Sequence, residues 1–242
     1  MTPQIIMPEP GLHNGDLTGA AARVSKARAY RDLSTVIVTP VHPGRGAIHP
    51  RIVQSLMNLM RPMNQKSLWI PLVGMEVGAA YSAAVEMILA HPDLSTWQYL
   101  LTFEDDNLPP ADGLLKLLES IADYDAVGGL YWTKGPGGMP MIYGHPDEMP
   151  RNFRPQVPIA QAVQPCNGLG MGFTLFRLAM FKDARLPRPW FKTVQEVVPG
   201  QGAAAFTQDL WAFNNMAALG YKFASDNRVL VGHYDQTADL VW

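Results

Sequence analysis

Cysteine is nearly missing: Cys166 is the only one among 242 residues. One thiol closes no internal disulfide and builds no cysteine-ligated zinc cluster, and such usage fits a reducing compartment. Long apolar runs are missing too. No stretch approaches the ~20 apolar residues that cross a bilayer as a helix. The first thirty residues carry scattered Arg, Lys and Asp without a continuous apolar segment, so no signal peptide and a cytoplasmic location are expected. Nor does one sign of charge dominate: 19 Lys and Arg stand against 21 Asp and Glu, a formal net charge of -2. That gives no global attraction to nucleic acid or to an anionic membrane. A single nucleotide would still bind locally through a few donors and a metal.

What is present is a core. Hydrophobic residues make up 48% and charged residues 17%, the balance of a globular chain with much to bury. Residues 1–33, with Pro3, Pro8 and Pro10, read as a loosely ordered arm with a short helix around 20–30. Order begins at STVIVTP, where a β-branched run predicts a strand ending at Pro40. PRIVQSLMNLMRP then places Ile52, Val53, Leu56, Met57 and Met60 at helical spacing between Pro50 and Pro62. The alternation repeats with a strand at 67–73, a helix at 76–90 and a strand at 97–103. A helix marked by Leu114, Leu117 and Ile121 follows, then a strand at 125–132. This order predicts an α/β fold with a mostly parallel sheet and helices on both faces. No repeat and no linker interrupts residues 34–242, so one domain is expected.

From Thr133 to Pro165 the pattern breaks into a Pro/Gly-rich stretch, read as a lid or binding loop. A strand running into a short helix at 170–183, a helix at 206–220 and a strand at 228–234 complete the chain.

At the end of the third expected strand stands YLLTFEDDNLPP. Ligands of open parallel sheets bind beyond the carboxyl ends of the strands, and Glu104, Asp105 and Asp106 lie at such an end. Divalent cations such as Mg²⁺ and Mn²⁺ take oxygen ligands from one or two carboxylates, with phosphates filling the shell. Alternation along extended chain puts Glu104 and Asp106 on one side and Asp105 on the other. The bland alternative is a solvated acidic loop ahead of a helix start.

Four segments in order carry a resemblance: TVIVTPV, FEDDNLPPADGLLKLLE, CNGLGMGFTLFR and TQDLWAFNNMAALGYKFASDNRVLVGH. Together, over roughly residues 34–235, they resemble the GT-A glycosyltransferases, most closely glycosyltransferase family 2 and its relatives. The resemblance implies a GT-A (Rossmann-like) fold and transfer of a sugar from a nucleoside-diphosphate sugar, here expected to be a UDP-sugar, to an acceptor hydroxyl of unknown identity. It implies Asp106 and His233 as ligands of Mn²⁺ or Mg²⁺, with Glu104 and Asp105 beside the donor. Asp209 matches the general base of inverting members, although a helix-start aspartate behind Thr207, a good N-cap residue, would look the same. Thr39, Pro40 and Val41 would lie against the nucleotide. Gly168, Gly170 and Gly172 would let backbone approach the sugar, or serve close strand packing equally well.

On the acceptor and lid side stand Trp132, Trp190, Arg151 and Arg154, with Tyr143 and Trp211 as further stacking candidates; large aromatics serve cores as readily. The chain also departs from the family. Where relatives often place an Arg-Asn pair, it reads AYSAAVE, and it lacks the Gln-x-x-Arg-Trp signature of processive synthases. The expected activity is therefore non-processive. Two alternatives stay open: a nucleotidyltransferase, and a non-catalytic nucleotide-sugar-binding module. The loop VHPGRGAIHP, with one Arg, is poorer in cations than the former would need.

Overall fold

The computed structural model describes residues 4–5, 31–44, 46–198 and 202–242. Its first six strands are β1 (Gln4–Ile5), β2 (Thr35–Val41), β3 (Ser67–Val73), β4 (Tyr99–Phe103), β5 (Asn107–Leu108) and β6 (Ala126–Leu130). Around the lid region and its return lie β7 (Ile142–Tyr143), β8 (Val163–Cys166), β9 (Gly168–Leu169) and β10 (Phe173–Arg177). Then come β11 (Val194–Val198), β12 (Gly202–Phe206), β13 (Phe223–Leu230), β14 (Gly232–Asp235) and β15 (Leu240–Val241). The helices are α1 (Pro50–Asn58), α2 (Val77–Ala90), α3 (Gly113–Ser120) and α4 (Gln208–Ala218).

Eight strands form the central sheet, in the order β1-β3-β2-β4-β10-β6-β13-β8. β2 is parallel to β3 and β4, and β6 is parallel to β13. β10 runs antiparallel between β4 and β6, so five strands share one direction, and β1 and β8 close the edges antiparallel. The reason lies in the connections. A parallel neighbour needs a crossover helix, and the strand–helix alternation stops after β6.

All seven residues of β2 are buried. Val36 and Val38 face one core layer with Ala80 and Tyr81 of α2 and Phe213 of α4. Ile37 faces the other, with Ile52 and Leu56 of α1 and Leu114 and Leu117 of α3. Each buried Val, Leu, Ile or Phe among them contributes roughly 1.5–3 kcal/mol by leaving water. Helices therefore cover both faces, as the alternation predicts.

Three boundaries differ from the expectations. Pro40 sits inside β2 and not at its end, because pairing to β4 stops at Val38 while pairing to β3 runs on to Val41. Past Val38 one side of β2 is open, and a missing N–H there breaks no ladder bond. Helix α1 stops at Asn58, before Pro62, because Leu59 turns extended and Met60 N donates to Ala111 O at 2.7 Å. The last expected strand is two strands, β13 and β14. The helix expected around 20–30 lies outside the described residues, whereas Gln4–Ile5 of the arm adds to the sheet edge against Leu72 and Val73. Among the described residues no helix is long and apolar enough to cross a membrane.

Candidate active site

A cleft of about 480 Å³ opens at the carboxyl ends of β2 and β4, between the starts of α2 and α4. Pro40, Val41, His42, Pro43, Met75, Glu76, Val77, Glu104, Asp105, Asp106 and Gln208 line it. Among the described residues that lining carries four carboxylates and no lysine or arginine.

The three consecutive acids take three different partners. Glu104 leaves β4 with its N–H bonded to Gly172 O at 3.0 Å, and its Oε1 accepts from the Tyr81 hydroxyl at 3.0 Å. Burial, then the charge of Asp106, pushes the Glu104 carboxyl up to about 8. Asp105 is buried and accepts from His42 N at 3.1 Å through Oδ2, while its carbonyl accepts from Gln236 Nε2 at 2.9 Å. Asp106 Oδ2 accepts from Lys134 Nζ at 2.6 Å and faces His233 Nε2 at 3.6 Å. Burial works against its ionisation, yet His233 and Lys134 hold the Asp106 carboxyl below its ordinary value.

Strand pairing brings His233 there. β5 follows directly on the acids and pairs antiparallel with β14, setting His233 opposite Asn107, and Tyr234 N donates to Asp106 O at 2.7 Å. His233 Nδ1 lies 2.7 Å from the Trp132 carbonyl. A carbonyl only accepts, so Nδ1 donates to it, and Nε2 is the ring nitrogen turned toward Asp106. Among the described residues no three His, Cys, Asp or Glu side chains gather as a metal cluster; Asp106 and His233 form a pair.

Asp209 sits in the first turn of α4, buried beside the cleft and behind Gln208. The Thr207 hydroxyl donates to Asp209 Oδ1 instead of capping the helix, and Leu210 N donates to the same oxygen at 2.8 Å. Burial raises its carboxyl, against the pull of those bonds. The charge of Asp209 in turn raises Glu104 and Tyr143, so it acts electrostatically on the acidic cluster.

The other expected site residues divide. Pro40 and Val41 line the cleft. Thr39 is buried, and its hydroxyl accepts from Trp69 Nε1 at 2.9 Å. The glycines pack against neighbouring side chains and do not border the cleft: a Cβ on Gly170 would stand 2.1 Å from the Tyr131 hydroxyl and one on Gly172 2.5 Å from Asn107 Nδ2. Gly168 lies against Phe153 and Phe213. Trp132 is half-buried and orients His233 through its carbonyl.

Trp190 corrects the expectation of an acceptor-facing ring. It is a core residue, edge-on to Phe181, with the Arg188 guanidinium 4.6 Å from its ring centre. Arg151 reaches the end of α4, donating to Ala217 O at 3.1 Å beside a second hollow. Arg154 borders a third hollow, with Gly144 and Gln156. The lid segment is pinned, with β7 paired to β9 and Asn167 Nδ2 donating to the carbonyls of His145 and Asn152. Sequence reasoning does not single out Tyr81, His42 or Lys134. For Lys134 the one signal is its position, the first cation after β6.

No protein-family model matches the sequence, and no curated protein is detectably similar to it. Solved structures are. The crystal structure of A197 from STIV aligns with a TM-score of 0.57 at 16% identity, over 84% of this chain and 86% of that one. GalNAc-T7, solved with UDP, GalNAc and Mn²⁺, aligns with a TM-score of 0.50 at 12% identity, over 85% of this chain and 44% of that one. The inositol-1-phosphate CTP transferase from T. maritima, at a TM-score of 0.47 and 13% identity over 87% and 93% of the two chains, is too distant to bear on the argument. The chain is a single mixed α/β domain of GT-A-like fold.

Proposed function

We propose that the chain transfers a sugar from a nucleoside-diphosphate sugar, a UDP-sugar in the first instance, to an acceptor hydroxyl, with inversion and without processivity. The observation that carries this reading is the Asp106–His233 pair at the mouth of a cleft of a size to take a nucleotide. The sequence resemblance to glycosyltransferase family 2 and the GT-A-like fold support it.

The pair fits a divalent cation. Adjacent donors around an ion with bonds of ~2.1 Å lie about 3 Å apart, so Asp106 Oδ2 and His233 Nε2, 3.6 Å apart, need only a small side-chain approach to share one. The histidine orientation is right as well, with Nδ1 committed to a carbonyl and Nε2 turned toward Asp106. Two protein donors leave the rest of the shell to phosphate oxygens and water, the usual arrangement for Mg²⁺. Bound there, Mn²⁺ or Mg²⁺ supplies positive charge where the departing diphosphate gathers negative charge.

Asp209 is the base in this reading. Thr207 and Leu210 both donate to Oδ1, Oδ2 is the oxygen assigned to the acceptor proton, and a buried carboxylate accepts protons more readily than a solvated one. Pro40 and Val41 flank the nucleotide. Trp132 and the loop that follows it border the donor and limit access of water.

Incubation of the full chain with UDP-, GDP- and dTDP-sugars, with and without Mn²⁺, tests this. Metal-dependent release of sugar and nucleoside diphosphate is expected. Pyrophosphate released from a nucleoside triphosphate would assign nucleotidyl transfer instead. Donor binding with no turnover on any acceptor would leave a binding module.

A further inference from the structure

Lys134 places its ammonium on the oxygen that a metal would need. Nζ lies 2.6 Å from Asp106 Oδ2, the atom that faces His233 Nε2. The lysine is carried on a tight turn. Thr133 N donates to Met139 O at 2.9 Å, Met139 N returns a bond to Thr133 Oγ1 at 2.9 Å, and Trp132 bridges Pro140. The same turn supplies the carbonyl that orients His233. One backbone unit therefore presents the cation and sets the histidine beside it.

The cleft makes that cation consequential. Among the described residues its lining holds Glu76, Glu104, Asp105 and Asp106 without a Lys or Arg, so an entering diphosphate meets carboxylates that repel it unless a positive charge intervenes. We propose that Lys134 is a resident counter-cation that exchanges with the divalent ion. It holds Asp106 in the metal-free protein, yields that oxygen to the metal, and passes to the diphosphate of the bound nucleotide. The inference rests on the nucleotide-sugar reading above. An ammonium and a divalent ion repel at the spacing of one carboxylate oxygen, so each excludes the other there. The freed ammonium keeps a flexible four-carbon stem and binds phosphate as a point charge.

The test uses the full chain, wild type and Lys134→Met, in three calorimetric titrations: Mn²⁺ without nucleotide, UDP in EDTA, and Mn²⁺ at saturating UDP. Lys134→Met is expected to bind Mn²⁺ about tenfold more tightly and metal-free UDP about tenfold more weakly. Lys134→Arg keeps the charge and returns both affinities to within a few-fold of wild type. A lysine with only a structural role would move both affinities the same way or neither. Mn²⁺ affinity unchanged or weakened in Lys134→Met, or metal-free UDP affinity unchanged, overturns the exchange. If wild type still binds Mn²⁺ together with UDP, the metal reading survives that result. Absence of Mn²⁺ binding in both proteins at saturating UDP overturns the exchange and the metal reading together.

Discussion

The Tyr81 hydroxyl donates to Glu104 Oε1 across 3.0 Å, tying helix α2 to the acid that leads the cluster. Burial and then the charge of Asp106 push that carboxyl from 4.5 up to about 8, while the Tyr81 bond pulls it partway back. A carboxyl with a raised folded value holds its proton more tightly in the native state than in the unfolded one. The stabilisation is fully present below the unfolded value and is lost as pH rises through the folded one. The metal-free protein is therefore expected to lose stability between pH 4.5 and about 8. The loss is on the order of a few kcal/mol, since each tenfold gain in proton affinity is worth about 1.4 kcal/mol. Melting temperatures across that range in EDTA measure it. Glu104→Gln, which mimics the protonated form, should flatten the profile, and an equally steep profile in that variant would remove Glu104 as its cause.

Asp106 and His233 make a separable prediction, because the histidine is held from behind by the Trp132 carbonyl. Replacing a donor should weaken Mn²⁺ binding in the presence of UDP by roughly 100-fold or more, beyond the ~10–100-fold typical of losing a group that only orients a ligand. Calorimetry on Asp106→Ala and His233→Ala reads this directly. Full metal-dependent sugar transfer by Asp106→Ala would rule the assignment out.

Much of this arrangement is legible in the sequence, for identifiable reasons. The β2 run Val36-Ile37-Val38 has no polar partner to hide, and the apolar stripe of α1 repeats at helical spacing, so both elements announce themselves. The acids stand out because three carboxylates ending an apolar run are rare without a purpose. What stays hidden depends on long-range pairing. Tyr81 lies 23 residues from Glu104 and Lys134 lies 28 from Asp106; no local pattern links them. Trp190 looks like a stacking platform because an aromatic beside prolines suits a surface or a core alike, and only the packing of Phe181 and Phe191 decides. The first half of β13 escapes a hydropathy pattern because Ser225, Asp226 and Asn227 are polar yet buried. Their hydrogen bonds to one another and to neighbouring chain do not show as hydropathy.

Asp209 has one oxygen engaged by Thr207 and Leu210, and the other is the one assigned to the acceptor proton. Asp209→Asn keeps size and most hydrogen bonding but cannot take a proton. Turnover is expected to fall by about 10²–10⁴, the usual range for a lost general base, while affinity for UDP in the presence of Mn²⁺ changes little. Steady-state rates beside a binding isotherm separate the two effects. Turnover within a few-fold of wild type would take Asp209 out of the chemistry and leave it a helix-start residue.

Asp226 is fully buried in β13, where Arg228 Nε reaches its Oδ1 at 2.9 Å, and an Arg228 terminal nitrogen and the Ser120 hydroxyl each reach its Oδ2 at 2.7 Å. This group joins the sheet to the end of α3, away from the cleft. Burial opposes its ionisation, but the bonds from Arg228 and Ser120 win and hold the carboxyl below 3.8. A depressed folded value means stability that is present above the unfolded value and is lost as pH falls through the folded one. Asp226→Ala removes the buried carboxylate while Arg228 keeps Glu119 and the Ser120 hydroxyl as partners, and should lower stability by about 1–3 kcal/mol at neutral pH. Urea midpoints at pH 7 and pH 3 provide the measurement. Because the contribution of Asp226 begins to fall once pH drops below the unfolded value, the difference between the two proteins should narrow at the lower pH. A difference that stays constant with pH would show that shape, and not charge, holds α3 to the sheet at this point.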